Sequence, residues 1–383
     1  MALHFERSEY AQRMQALKTA MTDENLDAML LFSQESMYWL TGYDTFGFCF
    51  FQCLVVTKDG DMALLTRAPD LRQAQHTSII DNIIIWKDEG LADPSTDLRQ
   101  LLEDMGLRNG AIGVEYDTQG LTGKAARAID RSLADFAQLT DHSAIIPVLR
   151  SIKSEAELEY ARIAGELADD ALDAAVNLTR AGAYEGDILA AMHSAIFTKG
   201  GDYPGNEFII GSAEDALLCR YKSGRRHLSQ NDQLTLEWAG SRARYHAAMM
   251  RTIVIGQPKK RHHELYEASR DALLAVRDAM IVGNPVSDMF DAHAKVLDDA
   301  GLAEHRLNAC GYSLGAVYTP CWMDAPMIYA GNDTTISANM VLFTHMIIAD
   351  SDTQTAMTLG QSYITRPSGP ENLSRHEIDL INC

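Results

Sequence analysis

The stretch QLTLEWAGSRARYHAAMMRTIVIG, residues 233–256, contains two apolar runs separated by a short polar segment. The first run covers residues 233–238 and the second covers residues 247–255, and the polar segment carries Arg242 and Arg244. Two apolar runs of strand length on either side of a polar turn are typical of adjacent antiparallel strands. The stretch therefore predicts a β-hairpin.

An acidic residue, Glu237, lies inside the first apolar run of this hairpin. Burial of a carboxylate is unfavourable unless a positive charge, hydrogen bonds or a shifted pKa compensates for the lost hydration. Three candidates for that compensation, Tyr245, His246 and Arg251, lie on the return strand. Ionisable groups gathered in this way are typical of an active site. The alternative is a structural ion pair between Glu237 and Arg251 across the hairpin.

The length and composition are those of a globular protein with more than one domain. The chain has 383 residues, of which 46% are hydrophobic, which is enough for a large core. No apolar run approaches the roughly 18 residues of a membrane span, and the N-terminal MALHFERSEY lacks the layout of a signal peptide. We therefore expect a cytoplasmic protein. Six cysteines without CxxC spacing predict free thiols rather than a zinc site or a disulfide framework: Cys49, Cys53, Cys219, Cys310, Cys321 and Cys383.

The chain is strongly acidic, with a formal net charge of -20 at pH 7 and a pI of about 4.9. Its electrostatic field repels nucleic acid and anionic membranes, so we expect neither as a partner and predict a small-molecule substrate. Basic side chains are nevertheless concentrated in two short segments: Arg220, Lys222, Arg225, Arg226 and His227, followed by Arg242, Arg244 and Arg251. Such a cluster is suited to a substrate carboxylate. The alternative is a patch of surface or intersubunit ion pairs.

Predicted strands and helices alternate over roughly the first 145 residues, as in an α/β domain. The apolar run at residues 48–56 predicts one of these strands. The overlapping aromatic segment at residues 43–53 is typical of a central strand, and the alternative for it is a pocket lining. Ser154 and Glu157 then form a capping box at the start of a long helix. We therefore place the boundary before this helix, between an α/β domain at residues 1–148 and a second domain at residues 149–383.

The second domain contains an internal repeat with a period of 101 residues. Gly182, Asp187, Ala191 and Gly200 recur as Gly283, Asp288, Ala292 and Gly301. Both sets surround a predicted helix that precedes a predicted strand, so the pattern predicts a duplicated α+β unit. A site between the halves can combine Glu237 with side chains between Tyr312 and His345. His345 lies in an apolar predicted strand, where a structural histidine is the alternative.

Four features, in this order, resemble the creatinase/methionine aminopeptidase superfamily. They are the junction LRSIKSEAELEYAR, the hairpin ending MMRTIVIG, the glycine loop GYSLG, and the strand TLGQSYIT before GPENL. Together they span nearly the whole chain. The resemblance implies an α/β N-terminal domain of the creatinase type and an α+β C-terminal domain with the pita-bread fold and its pseudo-twofold repeat. It also implies a homodimer with sites near the subunit interface.

The metallopeptidases of this superfamily bind two metal ions through two aspartates, one histidine and two glutamates. The corresponding positions in this chain are Glu237, Ala248, Tyr312, His345 and Gly360. Alanine and glycine carry no donor, and tyrosine replaces a histidine, so too few ligands remain for two hard divalent ions. The resemblance therefore predicts no metal and no other cofactor, and it argues against a metallopeptidase.

The superfamily also contains two metal-free hydrolases, creatinase and ectoine hydrolase. The chain is more similar to ectoine hydrolase than to creatinase. The matching motifs are GGDYP at residues 200–204, Glu-x-Ala-Gly at 237–240, Arg-Tyr-His at 244–246 and Gly-Tyr-x-x-Gly…Tyr-x-Pro-x-Trp at 311–322. The resemblance implies hydrolysis of a C–N bond of the amidine or cyclic amidine type in a small polar nitrogen compound. This chemistry is reasonable because a protonated amidine carbon is electrophilic and reacts with a carboxylate or with activated water.

The same resemblance implies a role for each candidate site residue. Glu237 is expected to be the nucleophile or general base, and His246 or His345 the group that transfers a proton. The expected substrate contacts are Arg220, Tyr245, Tyr312 and Arg251.

Two positions differ from ectoine hydrolase. Cys219 or Arg220 stands where these hydrolases have a histidine, and Gly360 stands where ectoine hydrolase has a glutamate. Both changes predict a different substrate, one that carries a carboxylate if Arg220 binds it in a bidentate manner. The alternatives are a creatinase-type amidinohydrolase, a lyase that uses Glu237 as a base, and a catalytically inactive binding protein with the same fold.

Overall fold

The computed structural model describes residues 3–90, 92–220 and 224–383, and the chain divides into two compact units, Met1–Arg150 and Ser151–Cys383. Lys222, which belongs to the predicted basic cluster, lies outside the described residues. The predicted capping box is present at the start of the second unit. The Ser154 hydroxyl accepts from the Glu157 amide at 3.2 Å, and the Glu157 carboxylate accepts from the Ser154 amide at 2.8 Å. No helix in these three ranges is long and apolar enough to cross a membrane.

The first unit contains a six-stranded sheet in the order β4-β3-β2-β1-β5-β6. Its strands are β1 (Ala28–Leu31), β2 (Cys53–Thr57), β3 (Met62–Arg67), β4 (Ile83–Trp86), β5 (Ala111–Val114) and β6 (Gln138–Asp141). Its helices are α1 (Arg7–Asp23), α2 (Gln34–Thr41), α3 (Leu71–Thr77), α4 (Pro94–Asp104), α5 (Gly123–Leu133) and α6 (Ile145–Ser151). Ala28 and Leu30 belong to one core cluster, and Met29 and Leu31 to another. Both faces of β1 are therefore covered, which explains its continuous apolar sequence.

The predicted strand at residues 48–56 is shorter in the structure, where β2 begins only at Cys53. The preceding chain forms a turn because the Gly47 amide donates to the Thr45 hydroxyl, which in turn donates to Asp70, both at 2.9 Å. Phe46 is 75% exposed, so its ring does not belong to the core. The prediction was wrong for residues 48–52, because polar contacts outside the run, rather than its apolar content, determine the backbone conformation there.

The second unit contains a nine-stranded sheet in which β11-β10-β12-β13-β9-β8-β7 form the main path, with β14 beside β13 and β15 beside β9. Its strands are β7 (Ile209–Ser212), β8 (Asp232–Arg242), β9 (Tyr245–Ile255), β10 (Ala309–Ser313), β11 (Asp324–Tyr329), β12 (Val341–Asp350), β13 (Thr355–Ile364), β14 (Glu371–Asn372) and β15 (Ile381–Asn382). Its helices are α7 (Glu155–Leu178), α8 (Glu185–Phe197), α9 (Lys260–Ala279) and α10 (Ser287–Asp299).

Two related halves make up this sheet. In one half β8 pairs with β7 and β9, in the other β12 pairs with β10 and β13, and β9 meets β13 between them. The repeated glycines flank α8 and α10 and have positive φ: 81° at Gly182, 80° at Gly200, 101° at Gly283 and 74° at Gly301. Glycine adopts this region without steric cost, which explains why these positions recur in the sequence. The predicted α+β unit with a pseudo-twofold repeat is confirmed.

The predicted hairpin is β8 and β9, joined by a two-residue turn at Ala243 and Arg244 with φ of 49° and 68°. One face of β8 packs against α7, where the Trp238 indole donates to the Ala168 carbonyl at 2.8 Å. Since neighbouring residues on a strand point to opposite faces, Glu237 points away from α7. The packing of the hairpin thus fixes the face on which its acidic residue lies.

Candidate active site

Glu237 is partly buried at a narrow cavity on the face of the sheet opposite α7. The lining of this cavity includes Cys219, Met250, Ile347 and Thr358. Most of these side chains are apolar. Glu237 is therefore the principal ionisable group in a largely apolar surrounding.

The surroundings of Glu237 raise the pKa of its carboxyl group above the usual value. Loss of hydration raises the pKa of its carboxyl to about 7, while the positive charge of Arg220 and a hydrogen bond from Tyr312 act in the opposite direction. A carboxyl group with this pKa is present in both protonation states near neutral pH. Such a group is suited to accept a proton, or to act as a nucleophile once ionised.

Tyr312 on β10 connects the second half of the sheet to Glu237. Its hydroxyl donates to Glu237 Oε1 at 3.4 Å and accepts a hydrogen bond from Trp322 Nε1 at 2.9 Å. Trp322 is almost completely buried, at 1% exposure. The sequence alone predicted no role for Trp322 at the site. The one available signal was its place in the Tyr-x-Pro-x-Trp segment.

His345 on β12 is the second predicted residue that the structure brings to this place. Its ring centroid lies 5.7 Å from that of Tyr312 and 5.6 Å from that of Phe343. Burial lowers the pKa of His345 to about 3, so its imidazole is neutral near pH 7. Its buried Nδ1 has no hydrogen-bond partner within the described part of the chain. The hydrogen-bonding capacity of this nitrogen is therefore unused by the described residues.

Arg220 and Cys219 lie on the segment that precedes the hairpin, and both interact electrostatically with Glu237. The charge of Arg220 also acts on His345, so this one guanidinium influences both candidate catalytic groups, Glu237 and His345. Burial raises the pKa of the Cys219 thiol, and the charge of Glu237 raises it further. Cys219 is therefore a neutral thiol near pH 7, and Arg220 supplies the positive charge.

His246 lies near the tip of the hairpin, and both of its ring nitrogens are bonded to backbone groups. Nε2 accepts from the Gly205 amide at 2.9 Å, so the ring proton is on Nδ1, which faces the Gly315 carbonyl at 3.3 Å. Burial lowers the pKa of His246 to about 4. The predicted role in proton transfer is revised accordingly, because this histidine is a neutral support for two backbone segments.

Tyr245 and Arg251 also lie away from Glu237, each with other partners. The Tyr245 hydroxyl donates to Glu157, and its ring stacks on Tyr160 with centroids 6.0 Å apart. In the register of β8 and β9, Glu237 is opposite Met250 whereas Arg251 is opposite Leu236, so Arg251 points to the other face.

Arg251 is fully buried on that face, where burial lowers the pKa of its guanidinium to about 10. It donates to the carbonyls of Met250 and Gly360, each at 2.8 Å, and to Gln361 Oε1 at 2.9 Å. These bonds revise two interpretations. Arg251 is neither a substrate contact on the Glu237 face nor an ion-pair partner of Glu237 across the hairpin.

The five positions that correspond to metal ligands do not form a two-metal donor set. Ala248 and Gly360 offer no side-chain donor, and a Cβ built on Gly360 would lie 2.7 Å from Phe343 Cζ. The Phe343 ring therefore fills the space that a side chain at position 360 would enter. Across residues 3–90, 92–220 and 224–383, no group of three or more His, Cys, Asp and Glu side chains is arranged to hold a metal ion. The residues present do not fit the two metal ions of the metallopeptidases.

Comparison with family models finds two matches that together cover most of the chain. Residues 159–364 match the model of metallopeptidase family M24. Residues 13–152 match the model of the creatinase/prolidase N-terminal domain.

Individual relatives match over nearly their whole length. The ectoine hydrolase of Halomonas elongata is 27% identical over 356 residues, which are 88% of this chain and 88% of that protein. The uncharacterized hydrolase/peptidase y4tM of Sinorhizobium fredii is 27% identical over 390 residues, covering 99% of this chain and 98% of that protein. A recombinant prolidase from Thermococcus sibiricus superposes with a TM-score of 0.87 at 16% identity, covering 98% and 99% of the two chains. The structural match shows the same fold.

Proposed function

The chain belongs to metallopeptidase family M24, and within that family we propose that it is a metal-independent hydrolase of an amidine or cyclic amidine C–N bond. Its proposed substrate is a small polar nitrogen compound that carries a carboxylate, and it is proposed to act as a homodimer. Glu237 is the reacting carboxyl group of this proposal.

The proposal is carried by the side chains found at the five positions that correspond to the metal ligands of the metallopeptidases. Glu237 keeps a carboxylate, Tyr312 stands in place of the histidine and His345 in place of a glutamate, and Ala248 and Gly360 carry no donor. The Phe343 ring beside Gly360 makes the site apolar where a peptidase of this family needs a ligand. A carboxylate retained without its metal partners supports chemistry in which the carboxylate itself reacts.

One relative supports the choice of an amidine. The ectoine hydrolase of Halomonas elongata is 27% identical to this chain, and ectoine, the substrate that its name gives, is a cyclic amidine that carries a carboxylate. In hydrolysis of an amidine, water supplies the oxygen of the new amide carbonyl, one C–N bond breaks, and the departing nitrogen takes up a proton. Glu237 can assist by adding to the amidine carbon, with water then cleaving the resulting ester-like bond, or by removing a proton from the attacking water.

Three other residues have roles in the proposal. Tyr312 holds one carboxylate oxygen of Glu237 through its hydrogen bond. His345 is proposed to accept a proton released from the attacking water and to pass it to the departing nitrogen, supported by its neutral ring, which can accept a proton, and by its unengaged Nδ1 within the described structure. Arg220 is proposed to bind the substrate carboxylate. His246, Tyr245 and Arg251 are left out because their polar atoms support the backbone or other side chains.

The first test is turnover of ectoine, 5-hydroxyectoine and creatine, followed by mass spectrometry, with wild-type protein and with Glu237→Gln. We expect one of these compounds or a close amidine analogue to be hydrolysed, and Glu237→Gln to reduce kcat by about 10²–10⁴-fold. Glu214→Gln, which removes an exposed carboxylate from the same unit, serves as the control and should be unaffected. Undiminished turnover by Glu237→Gln, or no reaction with any amidine or guanidinium compound, would contradict the proposal.

A rapid-quench experiment distinguishes the two roles of Glu237. A nucleophile gives a transient mass increase on the peptide that contains Glu237, whereas a general base leaves the mass of that peptide unchanged.

A further inference from the structure

Trp322 is a buried residue whose only polar side-chain atom is directed at the site. Its indole Nε1 lies 2.9 Å from the Tyr312 hydroxyl oxygen, and its backbone amide donates to Asn206 Oδ1 at 3.2 Å. The neighbouring Gly205 permits this close approach, since a Cβ there would lie 2.9 Å from the Trp322 nitrogen. Trp322 is therefore held in place by a segment distant in sequence.

The hydrogen bond from Trp322 has a defined direction. An indole N–H can only donate, whereas a phenol has one hydrogen to donate and lone pairs to accept. The Tyr312 oxygen therefore accepts from Trp322, and its hydroxyl hydrogen is left for another acceptor. That acceptor is Glu237 Oε1 at 3.4 Å.

We propose that Trp322 is a positioning residue that fixes the direction of the Tyr312 hydroxyl, so that its hydrogen always points to Glu237. This inference rests on the proposed function, because it assigns Trp322 a role in preparing the carboxylate that reacts. Trp322 acts through Tyr312 and does not touch the reacting atoms.

Few groups favour the carboxylate form of Glu237. Arg220 and Cys219, on the segment before the hairpin, interact with it electrostatically, and Tyr312 contacts it from β10, with the His345 ring centroid 5.7 Å from that of Tyr312. Cys219 and His345 are uncharged near pH 7. The carboxylate form is thus favoured by the charge of Arg220, which is exposed, and by the hydrogen bond from Tyr312. The direction of the Tyr312 hydroxyl depends on Trp322.

Trp322→Phe tests the proposal because it keeps an aromatic ring and removes the N–H. We expect Glu237 to titrate at a pH about 0.5 to 1 unit higher in Trp322→Phe, since one hydrogen bond to the ionised form is weakened. Tyr312→Phe should give a similar shift, and the double variant should shift no further than Tyr312→Phe alone. Trp238→Phe is the matched control, since it removes a buried indole hydrogen bond, to Ala168, on the other face of β8.

Two readouts separate this inference from the proposed function. The first is the titration of the Glu237 carboxyl by NMR of protein labelled with ¹³C at glutamate Cδ, with the signal assigned by Glu237→Gln. The second is the acidic limb of kcat/KM. An upward shift in the carboxyl titration together with full activity of Glu237→Gln would support the positioning role and refute the catalytic one.

The inference would be overturned if Glu237 titrated at the same pH in Trp322→Phe as in the wild type. It would also be overturned if Trp238→Phe shifted the titration of Glu237 by an equal amount. If Trp322→Phe does not fold, 3-benzothienylalanine at position 322 keeps the size of the indole and replaces N–H by sulfur. The same shift is expected from that variant, and its absence would equally overturn the inference.

Discussion

Two opposing influences act on the carboxyl group of Glu237. Loss of hydration favours the neutral form and raises its pKa to about 7, whereas Arg220 and Tyr312 favour the carboxylate. The proposed reaction uses the carboxylate, whether as nucleophile or as base. Activity should therefore rise with pH through a midpoint near 7 and level off above it.

Arg220→Gln tests the electrostatic part of this account. Because the charge of Arg220 lowers the pKa of Glu237, its removal should move the acidic limb of kcat/KM to higher pH. KM for a substrate with a carboxylate should rise at the same time, by roughly tenfold or more for loss of a charge-assisted contact.

Arg225→Gln removes the same charge from the same basic segment and is the matched control for this experiment. An acidic limb at the same pH in Arg220→Gln and wild type would contradict the assigned role of Arg220. An equal displacement of the acidic limb of kcat/KM in Arg220→Gln and Arg225→Gln would also contradict this role.

The sequence singled out Glu237 as the candidate acid but did not predict the orientation of its neighbours. Glu237 was singled out because a carboxylate in an apolar run needs compensation. Arg251 was associated with it because both lie on one hairpin, yet the register places them on opposite faces. His246 is separated from Glu237 by backbone contacts to Gly205 and Gly315. These contacts join segments far apart in sequence, so no local pattern reveals them.

The pairing of β12 with β13 shapes the site. His345 is directly opposite Gly360 in this register, and the Phe343 ring lies against the Gly360 backbone. A glycine in the interior of a strand commonly marks the close approach of another group. The group that approaches Gly360 is the Phe343 ring on the adjacent strand β12.

Gly360→Ala should destabilise the protein by about 1–3 kcal/mol, because its Cβ would lie 2.7 Å from Phe343 Cζ. The effect is measured by chemical denaturation of the purified variant. Combined with Phe343→Leu, the substitution should cost less than the sum of the two single changes, since the smaller side chain makes room. Gly123→Ala, where the nearest atom to a new Cβ is 3.9 Å away, is the control. Strict additivity would show that Phe343 does not fill this space.

Local patterns predicted the elements where the chain's own periodicity decides the structure. The hairpin, the capping box of Ser154 and Glu157, and the glycines around α8 and α10 belong to this group. The pattern failed at residues 48–56, where the contact of Thr45 with Asp70 sets a turn. The role of Trp322 was missed for a similar reason, because the direction of its indole depends on Asn206 and Tyr312.

The chain as a whole combines the fold of a metallopeptidase family with side chains that do not form the two-metal donor set of those peptidases. The N-terminal creatinase/prolidase domain and the M24 domain are both present, and the pseudo-twofold sheet brings Glu237 from one half beside Tyr312 from the other. The architecture that would position metal ligands is thus retained. We infer that it now positions a carboxylate, a phenol and an imidazole.

Metal independence is tested by the rate of amidine hydrolysis after exhaustive dialysis against a chelator. The metal content of the same sample is determined by elemental analysis, and the assay is repeated with added Mn²⁺, Co²⁺ or Zn²⁺. We predict equal rates with and without chelator, no stimulation by any of the ions, and far less than one metal ion per chain. Activity that is lost on chelation and restored by a stoichiometric divalent ion would contradict the account.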